Sequence, residues 1–253
     1  MYTIEFNNKV KTFMHPVKSA GISIHSGIIE ASNIYNDYKV HVNQRHSHIR
    51  NLPEKYQRYP KFVTIREPHS WYKSFYRFFM GTEGYLSWAL NDPKDDGYIY
   101  PVEPDEFARR MLNVRNTLER FPNKSRVFRN LLRSQGNLHF ITGYFDSDFH
   151  PEDPKTMEQF DMSLYKWFMN PMGEDTIFVP MNRLDIIEKE FHIKIPHINK
   201  TPENRINFNF SPEVINLIKE VDKEYYKMIE TFDENNLLTF KEWREKHGQA
   251  SNN

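Results

Sequence analysis

The chain has 253 residues, with 34 basic side chains balanced against 34 acidic ones. That length can bury a sizeable core in one large domain or two small ones, and the balance excludes a global field that would draw nucleic acid or a membrane surface. Aromatic residues make up 15% of the chain, with 20 Phe and 14 Tyr, which argues against disorder, and the absence of cysteine excludes disulfides, thiolate catalysis and cysteine-ligated metal.

The segment Met1–Val10 is mixed polar and has no apolar h-region, so no signal peptide is expected. Val10–Met14 predicts a short strand, His15–Gly21 a turn, and the following residues a helix with Ile24, Ile28 and Ala31 on one face. Phe62–Ile65 is a short apolar run of the kind found in a buried parallel strand. It ends at Arg66, and Pro68 opens a helix to Met80 that carries Trp71, Phe75, Phe78 and Phe79. Further helices are predicted over Asp105–Arg120, Thr156–Asn170, Arg183–Phe191 and Pro212–Phe232, and further strands over Leu138–Thr142 and Thr176–Val179. Asn91–Gly97 and Asp146–Pro154 read as loops, and Glu245–Asn253 as a frayed polar tail. Strands alternating with helices predict an α/β fold with a mostly parallel sheet. No stretch approaches the roughly 18 apolar residues of a membrane span.

Two turns carry the chemistry. The first reads His15-Pro16-Val17-Lys18-Ser19-Ala20-Gly21-Ile22-Ser23. A loop between a strand and a helix N-terminus aims backbone N–H groups outward, and the helix dipole favours an anion there. Lys18 adds a mobile positive charge, Ser19 and Ser23 add hydroxyls, and Gly21 permits close backbone approach. The pattern is not Walker A, and a plain turn with a surface lysine competes with the phosphate cradle. In the second turn, Arg66 sits at a strand's carboxyl end, where ligands bind in open α/β sheets. Its guanidinium offers a bidentate fork for phosphate, with Ser74 about two helical turns after Pro68.

Together and in this order, the two turns resemble the donor-binding elements of the sulfotransferase superfamily, which use 3′-phosphoadenosine-5′-phosphosulfate (PAPS). Lys18 to Ser23 is similar to the family's P-K-S/T-A-G-S/T-S/T loop for the 5′-phosphosulfate. Arg66-Glu67-Pro68 through Ser74 is similar to its R-D/N-P-x-x-x-x-x-S element for the 3′-phosphate. Arg45-His46-Ser47-His48 resembles the histidine segment of the carbohydrate, membrane-type branch, and His197-Ile198-Asn199-Lys200-Thr201 resembles its H-x-N-K/R-S/T segment. The likeness spans roughly Val10 to Phe232. Val17 is inserted between the expected proline and lysine, Ile22 replaces a hydroxyl residue, and Trp71 stands where a second arginine is common.

The resemblance implies a P-loop-like three-layer fold over residues 1–244, with a central, mostly parallel sheet flanked by helices. It implies that Lys18, Ser19, Ala20, Gly21, Ile22, Ser23, Arg66, Ser74 and Lys200 bind PAPS and the product nucleotide 3′-phosphoadenosine-5′-phosphate (PAP). Lys18 is then also catalytic, and His46 is the base, with His48 in reserve. A histidine titrates near neutral pH and suits that role, whereas Arg45 and Arg50 beside the histidines disfavour a bound metal. The expected acceptor is a hydroxyl, that of a carbohydrate by resemblance, with no nucleic-acid or membrane partner. A soluble cytoplasmic enzyme from a bacterial or viral setting is expected. A basic stretch from Arg109 to Arg133 reads as either a groove for anions or a solvated helix face. Two alternatives stand beside the enzyme: a non-catalytic anion- or glycan-binding protein on the same scaffold, and a P-loop-like nucleotide kinase.

Overall fold

The computed structural model describes residues 1–14, 16, 18–42, 52–79, 103–113, 115, 161–196 and 207–248. Its strands are β1 (Tyr2–Phe6), β2 (Lys9–Met14), β3 (Lys39–Val42), β4 (Lys61–Ile65) and β5 (Thr176–Pro180). Its α-helices are α1 (Gly21–Ile34), α2 (Glu54–Gln57), α3 (Pro68–Phe79), α4 (Pro104–Leu112), α5 (Leu164–Met169), α6 (Leu184–Phe191), α7 (Pro212–Val221), α8 (Lys223–Glu230) and α9 (Phe240–His247). The described residues group into two compact units, one drawn from Met1–Glu67, Asn170–Lys200 and Lys227–Asn253, the other from Pro68–Met169 and Thr201–Tyr226. Among the described residues no helix is long and apolar enough to cross a membrane.

The first unit holds a mixed five-stranded sheet in the order β3-β1-β2-β4-β5. Strand β1 pairs antiparallel with β2 and β3, while β2, β4 and β5 are parallel, so among these strands only β1 runs against the rest. The β1–β2 hairpin turns on Asn7 and Asn8, at φ 48° and 59°. Two left-handed residues in a two-residue loop make a type I′ turn, whose twist matches that of the strands, and asparagine tolerates that conformation. Strand β4, buried along its whole length, sits between β2 and β5.

Side-chain alternation divides the core. Tyr2, Ile4, Phe13, Phe62 and Val179 share one sheet face and pack with Ile24, Ile28 and Ala31 of α1 and Ile186, Ile187 and Phe191 of α6. Phe191 meets Phe13 and Phe62 edge-on, at 6.0 and 5.4 Å between ring centroids, and so fixes α6 over β2 and β4. Truncating such a ring costs about 3–5 kcal/mol. Gly27 allows α1 to pass close under the chain after α6, since a Cβ there would lie 2.4 Å from the Lys194 carbonyl oxygen. On the opposite face the Thr3 and Thr12 hydroxyls bond each other at 3.1 Å, and Phe178 meets Phe240 of α9 at 5.1 Å. A capping box between Thr239 and Glu242 starts α9, and Thr239 bridges to Ile177 at the sheet edge.

The described part of the second unit is helical, and aromatic rings pack together in it. Trp71 is fully buried, stacked on Phe75 at 4.8 Å and edge-on to Tyr165 at 5.3 Å. Ser211 caps α7 and also donates its backbone N–H to Asp105 of α4 at 3.0 Å.

Several predicted elements differ in extent. The helix expected over Asp105–Arg120 closes at Leu112, where Asn113 turns extended. Of that expected over Thr156–Asn170, residues 156–160 lie outside the described ones, and α5 begins at Leu164, with the Ser163 hydroxyl accepting from the Lys166 backbone N–H at 3.1 Å. The helix expected over Pro212–Phe232 is two, α7 and α8, broken at Asp222. Strands β1 and β3 and helices α2 and α9 were not predicted, and the predicted strand Leu138–Thr142 lies outside the described residues.

Asp222, the residue at the break, is buried. Its carboxylate is fully buried and accepts a 2.5 Å hydrogen bond from Ser163, while among the described residues its Oδ2 meets no donor at hydrogen-bond distance. Burial pushes this carboxyl up to about 6, against the opposing influence of Ser163, Lys166 and Tyr72. The folded state therefore holds the proton more tightly than the unfolded chain. That contribution is fully present below pH 4 and is lost as pH rises through about 6. At about 1.4 kcal/mol per unit, the loss amounts to roughly 2–3 kcal/mol. Asp222→Asn keeps an acceptor for Ser163 without the charge. In urea unfolding, the variant should gain stability relative to wild type by that amount between pH 4 and pH 7. Parallel pH profiles would contradict the assignment.

Candidate functional site

The turn after β2 is built from conformations that side chains disfavour. Lys18 and Ala20 both have φ 62°, and Ala20, at ψ 8°, caps α1. Each left-handed residue other than glycine costs about 1–2 kcal/mol. Such strain persists only where the surroundings over-determine it. Here Thr64 of β4 donates a 2.5 Å hydrogen bond from its hydroxyl to the Ser19 carbonyl oxygen, between the two strained residues. Backbone handedness alternating along a loop is the geometry of an anion-binding nest, in which successive N–H groups converge.

The helix that follows is open at its N-terminus. Ala20 offers no side-chain cap, and the first turn carries no acidic residue, so α1 has no anion of its own there. The Ser19 hydroxyl is fully buried and, among the described residues, has no hydrogen-bond partner. A buried hydroxyl left without a partner costs about 1–3 kcal/mol. Gly21 and Ser23 are buried in the first turn, whereas Ile22 is 56% exposed. Positive φ falls at Lys18 and Ala20, and Gly21, expected to permit close backbone approach, is the first helical residue.

Arg66 is half-buried directly after β4. Because β2 and β4 are parallel neighbours, with Met14 opposite Val63, the Lys18 turn and Arg66 leave the sheet at the same end. From β2 the chain passes through α1 to β3, on the far side of β1, whereas among the described residues the next strand after β4 is β5, on the other side. Among the described strands the carboxyl ends of β2 and β4 therefore mark a topological switch point, the kind of place where open α/β sheets bind ligands.

Ser74 is half-buried on α3 and Trp71 lies in the core of that unit, so the residue in the second-arginine position packs and does not face a ligand. His46, His48 and Lys200 lie outside the described residues. His41, another member of the histidine cluster, sits on β3 with its Nε2 3.0 Å from Glu5. Of the basic stretch, the described members have carboxylates: Arg109 with Glu213 at 3.1 Å, Arg110 with Glu106 at 2.7 Å and Arg115 with Asp161 at 3.9 Å. At these three positions the stretch behaves as an ion-paired surface. Thr64 is the site residue that sequence reasoning missed, because a threonine inside an apolar strand reads as core.

Searches against protein-family models, curated proteins and solved structures found no match to this chain.

If the Ser19 hydroxyl is kept for a ligand, its removal relieves the ligand-free protein. Ser19→Ala should stabilise the free chain by about 1 kcal/mol in urea unfolding. A loss of stability would mean that the hydroxyl has a partner within the protein.

Proposed function

We propose that this chain is a PAPS-dependent sulfotransferase acting on an acceptor hydroxyl, with a carbohydrate as the acceptor class. One observation carries the proposal: a left-handed, uncapped turn with a buried orphan hydroxyl opens α1 at the switch point, and Arg66 leaves the same end of the neighbouring strand. Both features fall on the residues whose sequence resembles the family's donor-binding elements. In the proposed architecture the sheet is the centre of a P-loop-like three-layer fold.

The turn residues Lys18 to Ser23 hold the 5′-phosphosulfate, and Arg66 reads the 3′-phosphate. Ser74 and Lys200 join the donor site on the resemblance alone. Bound PAPS supplies an activated sulfuryl group. His46, or His48 in its place, accepts the proton of the acceptor hydroxyl as that oxygen forms its bond to sulfur. The bond from sulfur to the bridging oxygen breaks, and Lys18 balances the charge that grows on that oxygen as PAP departs. Holding the two reactants in line supplies much of the remaining acceleration.

Lys18→Ala should abolish PAPS-dependent product formation, by at least about 100-fold, while the unfolding midpoint stays close to wild type. Unchanged turnover would refute the mechanism. For Arg66→Ala, PAP affinity should fall by about tenfold or more while AMP affinity changes little. Equal losses for both nucleotides would show that Arg66 does not read the 3′-phosphate.

A second reading rests on Ile22. Its exposed apolar side chain stands in the first turn of α1 where the family pattern has a hydroxyl. A protein that binds a 3′-phosphonucleotide or glycan anion without turning it over fits that exchange. PAP binding with no detectable transfer to any hydroxyl acceptor would favour it.

A further inference from the structure

Thr64 supplies a hydrogen-bond donor where valine would supply only volume. It lies two residues after Phe62 on β4, so by strand alternation both side chains leave the same sheet face. On that face Phe62 packs in the layer that includes Ile24 and Ile28 of α1. Thr64 is fully buried, between Val63 and Ile65 in the strand. A hydroxyl in such a place needs a partner. It reaches the Ser19 carbonyl oxygen at 2.5 Å, in the turn that opens α1.

That bond fixes more than one oxygen. A trans peptide is planar, and its carbonyl and N–H point in opposite directions. Ser19 and Ala20 share such a peptide. With the Ser19 oxygen drawn onto Thr64, the Ala20 N–H is turned away from Thr64. Among the described residues no hydrogen bond takes that N–H. Local preference does not set this orientation. Lys18 and Ala20 flank the peptide's carbonyl residue, both at φ 62°, a region that neither residue type favours. Turning the peptide over would put a carbonyl oxygen where the N–H now stands. An N–H attracts an oxyanion and a carbonyl oxygen repels one, so the orientation of this one peptide sets the sign of its dipole there.

We infer that Thr64 is a positioning residue that makes the turn selective for an anion. It withholds the Ser19 carbonyl from the ligand and leaves the Ala20 N–H to meet it. The inference rests on the reading of Lys18 to Ser23 as the cradle of the 5′-phosphosulfate. In that role Thr64 acts through the Ser19–Ala20 peptide and not on the donor itself.

The test compares PAP with adenosine 3′-phosphate, which lacks only the 5′-phosphate, by calorimetric titration of the intact chain. The ratio of the two affinities isolates what the turn contributes. Wild type should prefer PAP. Thr64→Val should reduce that preference by about tenfold or more and leave the affinity for adenosine 3′-phosphate near wild type. Thr64→Ser keeps the hydroxyl without the methyl group and should keep the wild-type preference. In the ligand-free chain, the NMR signals of the Ser19 carbonyl carbon and the Ala20 amide should move in Thr64→Val and stay close to wild type in Thr64→Ser. A merely structural role would weaken both nucleotides alike. Equal losses, an unchanged preference in Thr64→Val, or a Thr64→Ser chain that behaves like Thr64→Val would overturn the inference. A wild-type chain with no preference for PAP would overturn the cradle reading itself, and this role with it.

Discussion

The pairing of β2 with β4 determines where the two chemical turns can be. Their parallel register sets Met14 beside Val63, so both strands release the chain at one end of the sheet. The Thr64 hydroxyl then ties the β2 turn back to β4 through the Ser19 carbonyl. Without that register, Lys18 and Arg66 are simply two cations on two loops. With it, a nest of backbone N–H groups and a guanidinium flank the same switch point. The register is in turn fixed by the apolar faces, because a one-residue slip would turn Phe62 away from Phe191 and out of the core.

The candidate site gives up stability that the rest of the unit must offset. Two left-handed residues other than glycine, an uncapped helix and a buried orphan hydroxyl lie within four consecutive residues, Lys18 to Gly21. Each costs on the order of 1–3 kcal/mol, against a typical net stability of about 5–15 kcal/mol. The aromatic and aliphatic layer around Phe191 and the close crossing at Gly27 supply the rigid surroundings that hold such a turn in place. A bound oxyanion would satisfy the hydroxyl and the helix end together, so ligand binding and loop stability are coupled.

Much of this was legible in the sequence. The strands Val10–Met14, Phe62–Ile65 and Thr176–Val179 fall within β2, β4 and β5, and Ile24, Ile28 and Ala31 do form the buried face of α1. Short apolar runs and helical spacing report burial directly. Strand β1 was missed although Tyr2, Ile4 and Phe6 alternate and Asn7-Asn8 is a type I′ signal, because Glu5 and Lys9 gave the segment a polar character. The break at Asp222 was invisible because the apolar spacing continues across it, and only tertiary burial reveals a carboxylate bonded to Ser163. Backbone handedness at Lys18 and Ala20 was also hidden, since neither residue type prefers it. The donor turns were legible as motifs, whereas the brace that shapes the first of them is a single hydroxyl from another strand.

The sheet unit carries the strained turn and Arg66. On the proposed function, the strained turn of the sheet unit would cradle the phosphosulfate end of PAPS. The most direct measurement is the backbone amide NMR spectrum of the intact chain titrated with PAP. Saturable shifts concentrated at the amides of residues 18 to 23 are predicted, with smaller shifts for AMP at equal concentration. Saturable PAP binding that leaves those amides unmoved, or no binding at millimolar PAP, would contradict the account.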